Sequence, residues 1–229
     1  MFRKLTFASI EEKNEFEKYK KLKGIYLHKQ VYDILLQVND KKNVTYYALS
    51  SFIRYDKNLR DMLYKYLGTA EEYLRALVCE KYDVPSNCSV FKAQKWEKLA
   101  ELSHKKQEDA TSNLFYKLEL DFSALMTFAM KQNLIHISED AKKSIQKLRN
   151  ETMHHSLLLL GKNHDLAQLD EHFKILEKRL NALLEILPEE YKEGFMESVK
   201  RLNGYPRTQY LSIFYLEVQD GTKQICIKK

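Results

Sequence analysis

Turns need punctuation, and this chain carries little of it. Only 6 glycines and 3 prolines are spread over 229 residues, far below the usage of an average globular protein. A backbone that is seldom broken runs in long regular stretches. The apolar residues recur at helical spacing, so the reading is an all-α chain. Its length suffices for a real core. With 44% hydrophobic and 31% charged residues, it has the balance of a folded protein rather than a disordered one.

Ser9 is placed to cap a charged helix over 9–23, with Glu11, Glu12 and Glu15 in its early turns. Leu27, Val31, Ile34, Leu35 and Val38 predict a helix over 26–38. Thr45 caps a short helix to Arg54, and Asp56 then opens a long one to Tyr82. That helix is lined on one side by Leu59, Leu63, Tyr66, Leu67, Ala70, Leu74, Leu77 and Val78. Pro85 lies in a break. Helices are expected over 91–104, 109–120 and 121–132. Ser138 caps the next, with Glu139 and Asp140 in its first turn. Two more come after it, over 165–187 and 189–202, separated by Pro188. The tail predicts a small β-hairpin, 210–218 and 223–229, around Asp220-Gly221.

No apolar run is long enough to span a membrane. The N-terminus lacks an apolar segment before Glu11, so no signal peptide is read. Cys79, Cys88 and Cys226 have no metal spacing, and their odd number argues against a disulfide framework. These features predict a cytoplasmic protein with reduced thiols. Neither H-E-x-x-H nor a phosphate-binding glycine loop occurs, so no metal and no cofactor is expected. G-x-S-x-G is also missing.

The net charge of +6 suits a phosphate-binding surface without demanding one. Lys18, Lys20, Lys21, Lys23 and Lys29 cluster early, and Lys223, Lys228 and Lys229 close the chain. Tyr46, Tyr47, Tyr55, Tyr64, Tyr66 and Tyr73 flank Arg54, Arg60 and Arg75. Aromatic rings beside cations can stack unpaired bases. They also suit helix packing or a dimer interface with polar tips, and lysine runs often lie on solvated faces. The candidate RNA contacts are Lys18, Lys20, Lys21, Lys23, Lys29, Arg54 and Arg60.

The richest chemistry lies in Leu148-Arg149-Asn150-Glu151-Thr152-Met153-His154-His155-Ser156. Arginine offers a fixed planar cation to phosphate oxygens. Histidine transfers protons near neutral pH, and Asn150 can hold a partner in place. A plain helix end with histidine near its C-terminus is the structural alternative. On an ideal helix Arg149 and His154 lie about 140° apart, whereas Asn150 and His154 share a face. Arg149 can reach the same phosphate by its length, by a helix break near His154, or from a second copy. The last favours a composite site across a two-fold interface. Such groups can cleave RNA without metal. A 2′-hydroxyl attacks the adjacent phosphorus, His154 and its symmetry mate handle the protons, and Arg149 offsets the growing charge.

The arrangement resembles the Abi-type (abortive infection) branch of the HEPN superfamily. Its R-N-x-x-x-H-H motif is similar to Arg149, Asn150, His154 and His155. An earlier segment with the pattern F-x-x-x-D-x-x-L-R resembles Phe52 to Arg60, with Glu71 and Arg75 beyond it. The likeness covers about residues 20–190. Where related chains often show a further arginine and asparagine, this one has Leu157 to Leu160, then Lys162 and Asn163. The resemblance implies a HEPN-like helical bundle with extra N-terminal helices, and a homodimeric, metal-independent endoribonuclease of phage defence with an unknown antitoxin. Its catalytic residues would be Arg149, Asn150, His154 and His155.

The expectation is one domain over 1–229. It comprises accessory helices (1–44), a HEPN-like core (45–187) and a C-terminal extension (188–229). The alternative function is a non-catalytic protein that holds a structured small RNA. A helical protein-interaction module is the third.

Overall fold

The computed structural model describes residues 1–39, 42–82, 121–154, 156–163, 165–203, 214–219 and 221–228. Helices predominate among them. Ser9 caps α1 (Ile10–Lys23), its hydroxyl accepting from the Glu12 amide at 3.3 Å. The Glu12 carboxylate returns to the Ala8 amide at 2.8 Å, so amide donors left open at the helix start are satisfied locally. Gly24 then turns the chain with φ 88°, in the region that favours glycine. α2 (Ile25–Val38) buries Val31, Tyr32, Ile34 and Leu35.

α3 (Tyr46–Tyr82) is a single helix of 37 residues. The expected break before Asp56 is therefore corrected. Aspartate signals a helix start because its carboxylate accepts backbone amides. Here it does so for a distant segment, accepting from the Leu159 amide at 3.0 Å while fully buried in mid-helix.

The helices expected over 91–104 and 109–120 lie outside the described residues, as do Pro85 and Cys88. α4 (Phe122–Lys131) starts at Asp121, which accepts from the Ala124 amide at 2.8 Å. It closes on Asn133, φ 55°, with Leu134 N–H bonded to the Ala129 carbonyl at 2.8 Å. That is the left-handed helix stop in which asparagine replaces glycine. α5 (Glu139–Met153) starts at Ser138, as expected. α6 (Leu169–Ile186) and α7 (Glu189–Leu202) flank Pro188.

Two small sheets complete the fold. β1 (Leu5–Thr6) pairs in parallel with β2 (Val44–Thr45), which tethers the N-terminal segment beside the start of α3. Strands of two residues leave no periodic signal in the sequence. The C-terminal hairpin is present, with β3 (Tyr215–Gln219) antiparallel to β4 (Gln224–Lys228). Among the described residues of its loop the left-handed one is Lys223, φ 51°, rather than Gly221. The Lys223 amide bonds the Gln219 carbonyl at 2.8 Å. Four residues separate the paired ends, so this is a longer loop than an Asp-Gly two-residue turn.

One cluster of buried side chains runs from Leu5 to Ile225. α3 passes through it, and Phe52, Leu59, Leu63 and Leu74 are fully buried. Tyr55 joins α3 to the C-terminal part of the chain there. Its hydroxyl donates to Asn203 Oδ1 at 3.1 Å and accepts from the Leu216 amide at 2.9 Å. Burial pushes this phenol well above its usual range. No helix among the described residues is long and apolar enough to cross a membrane.

Candidate functional site

Ala141, Ile145, Leu148 and Thr152 form the buried face of α5. On the helical wheel Asn150 and His154 fall opposite that face, and both are exposed. Arg149 lies on a flank and is half-buried. Its Nε is enclosed with no acceptor among the described residues. Lys142 and Gln146 share this flank and reach α4, bonding Thr127 Oγ1 at 3.3 Å and Ser123 Oγ at 2.5 Å. The opposite flank carries Glu151, which is ion-paired with the buried Arg179 of α6.

The helix ends at Met153, with His154 as its C-terminal cap. His154 keeps φ −87° and ψ 11°, and its amide still bonds the Asn150 carbonyl at 2.9 Å. The break thus comes too late to carry the imidazole round to Arg149. No hydrogen bond or ion pair joins the side chains of Arg149, Asn150 and His154 among the described residues. His155 lies outside them.

The segment beyond the motif is held from several elements. Leu157 to Leu160 are all buried. The Asp56 carboxylate takes the Leu158 and Leu159 amides and is also bonded by Arg60 Nε at 3.0 Å. His172 Nε2 lies 2.8 Å from the Leu158 carbonyl oxygen. Gln30 Nε2 donates to the carbonyls of Gly161, at 2.9 Å, and Asn163, at 2.8 Å. Gln37 accepts from the Leu166 amide at 2.9 Å. Burial raises the Asp56 carboxyl to about 6, against the opposing pull of these amides and Arg60. None of these tethers carries a local signature: in the sequence Asp56 reads as a helix start and Arg60 as an RNA contact, and nothing there joins Gln30, Gln37 or His172 to this segment.

The early cations divide into two sets. Lys20 pairs with Glu17, Lys29 with Asp33 and Arg60 with Asp56. Lys18, Lys21, Lys23 and Arg54 make no ion pair among the described residues. Lys18 instead lies over the Tyr19 ring, 5.9 Å from its centre. The tyrosines divide as well. Tyr46, Tyr55 and Tyr66 are buried, whereas Tyr64 is exposed. Tyr66 spends its hydroxyl on Ser198 Oγ at 2.9 Å. Core packing therefore accounts for these three rings. Glu71 and Arg75 form an i,i+4 pair at 2.7 Å within α3, a spacing that suits helix support.

No group of His, Cys, Asp and Glu among the described residues could hold a metal ion. Cys226 is a free, half-buried thiol. No family model, curated protein or solved structure matches the chain.

Proposed function

We propose that this protein is a metal-independent, Abi-type HEPN endoribonuclease acting as a homodimer in phage defence. The observation that carries the reading is the end of α5. Asn150 and His154 stand exposed on one side of the helix end, the segment just beyond it is held by buried tethers, and Arg149 lies on the adjoining flank with its Nε lacking an acceptor among the described residues.

The 2′-oxygen of one ribose attacks its own 3′-phosphorus as the 2′-proton passes to one imidazole. The bond from phosphorus to the leaving 5′-oxygen breaks, and that oxygen takes a proton from the second imidazole. The products are a 2′,3′-cyclic phosphate and a 5′-hydroxyl. His154 of each chain fills one proton role. Arg149 stabilises charge on the non-bridging oxygens. The wide angle between Arg149 and His154 supports a site completed by a second copy.

End-labelled RNA tests this directly. Arg149→Ala and His154→Ala should each lower the cleavage rate by about a hundredfold or more, with dimer mass and helicity retained and no effect of chelator. A wild-type protein that is monomeric with RNA, or that never cleaves, removes the nuclease reading. A second reading, a scaffold for a small RNA, draws on Lys21, Lys23 and Arg54, which make no ion pair among the described residues. It prevails if wild type binds RNA without cutting it.

A further inference from the structure

Where α1, α2 and α3 converge, a cavity of about 170 Å³ opens on the surface. Three cations line it, Lys23 from the end of α1 and Arg54 and Lys57 from α3, and no carboxylate does. Lys57 is paired with the exposed Asp61 one turn away, outside the lining. Lys23 and Arg54 have no ion-pair partner among the described residues. Burial, then the charges of Lys57, Arg60 and Arg54, push the Lys23 ammonium below its usual range. The cations therefore crowd one another, and an anion between them would relieve that repulsion.

The remaining lining narrows the ligand. Ser50 spends its hydroxyl proton on the Tyr47 carbonyl at 3.1 Å, so its oxygen is left to accept. His28 Nδ1 lies 2.9 Å from the Gly24 carbonyl oxygen. Burial, the largest influence, lowers the His28 pKa and favours the neutral ring. A neutral ring that donates through Nδ1 leaves Nε2 as an acceptor. Tyr19 and Tyr46 supply aromatic wall. Cationic donors, neutral acceptors and rings together match a group with anionic oxygens at one end and N–H or O–H donors on a flat ring or sugar. At about 170 Å³ the cavity is smaller than a typical drug-sized site, so it can enclose one phosphate and part of a nucleoside while the rest lies across its open mouth.

We propose that this cavity binds a single nucleoside monophosphate, with the phosphate between Lys23, Arg54 and Lys57 and the nucleoside against Tyr19, Ser50 and His28. The unit can be the phosphorylated end of an RNA or a free nucleotide, and only the first source rests on the RNA-directed reading above.

Calorimetry with free nucleoside monophosphates, with inorganic phosphate, and with one RNA oligonucleotide bearing either a 5′-phosphate or a 5′-hydroxyl tests the proposal. Lys23→Gln and Arg54→Gln serve as site variants, and Lys13→Gln, exposed on α1 and outside the cavity lining, serves as control. If the RNA end is the guest, the 5′-phosphate tightens binding roughly tenfold. Both site variants then abolish the preference and the control keeps it. If a free nucleotide is the guest, the monophosphate binds, the site variants lose it and RNA phosphorylation has no effect. Either result supports the site. Nucleotide binding without any RNA binding supports it too, while removing the RNA-directed reading. The proposal is overturned if no monophosphate binds and RNA shows no end preference, even where RNA binds well. It is also overturned if inorganic phosphate binds as tightly as the nucleotide, or if the site variants, checked by thermal melting to be folded, bind like wild type.

Discussion

The segment after α5 and the cavity between α1, α2 and α3 use polar side chains in opposite ways. Around the end of α5, they are turned inward: Asp56, Gln30, Gln37 and His172 all bond backbone groups of the segment after the motif. Around the α1–α3 cavity, Lys23 and Arg54 are left without ion partners among the described residues. The first region spends its hydrogen bonds on geometry and the second keeps its charge for a guest. A fully buried polar group is costly to orphan, whereas removing the exposed Lys23 or the half-buried Arg54, neither of which has an ion partner among the described residues, strands no counter-charge. Stability and binding should therefore respond to different substitutions.

The sharpest break would come from Asp56→Ala. It removes the acceptor of two buried amides and the buried carboxylate with which Arg60 pairs, a loss of about 3–5 kcal/mol. Denaturant unfolding measures it, and a loss below ~1 kcal/mol would mean the tether is ornamental. Next comes pH. The Asp56 carboxyl titrates near 6 in the folded protein against an ordinary 3.8, so the folded state holds this proton more tightly than the unfolded state does. Its stabilising contribution is complete below pH ~4 and is lost as pH rises through ~6, a swing of roughly 3 kcal/mol at most. Asp56→Asn cannot titrate, so the difference between its stability profile and wild type should change across that window and stay flat above it.

Gly161→Ala should cost about 1–3 kcal/mol. The residue sits at φ 57°, and an added Cβ would meet the His172 ring at 2.6 Å. A loss of melting temperature together with reduced activity would tie the segment's fixity to the motif. The smallest effect is expected in the other region. Lys23→Gln and Arg54→Gln should shift stability by no more than ~0.5 kcal/mol in the same unfolding assay. A large loss there would erase the contrast.

Local hydrogen bonding is legible in the sequence. Ser9, Thr45 and Ser138 read as caps, and each hydroxyl accepts from an amide three residues on. Pro188 reads as the boundary between two helices, and it is one. The stripe from Leu59 to Val78 is buried almost throughout. Failures come where a local signature is answered by a distant partner. Asp56 resembles a helix start because the amides it accepts lie about a hundred residues away. Glu151 and Arg179 give no hint of each other in the sequence, nor do Leu5 and Val44. At the motif, the angular offset of Arg149 follows from periodicity alone, but the enclosure of its Nε without an acceptor among the described residues and the bonds of Lys142 and Gln146 to α4 require packing to be seen.

Tyr55 sets an order of events. Its two hydroxyl partners come 148 and 161 residues later in the chain. At roughly 5–20 residues per second of synthesis, Tyr55 is made about seven to thirty seconds before its phenol can be satisfied. Until then the middle of the longest helix among the described residues offers a polar atom with nowhere dry to go. Nascent chains should consequently stay protease-sensitive around α3 until the hairpin emerges, then harden in one late step.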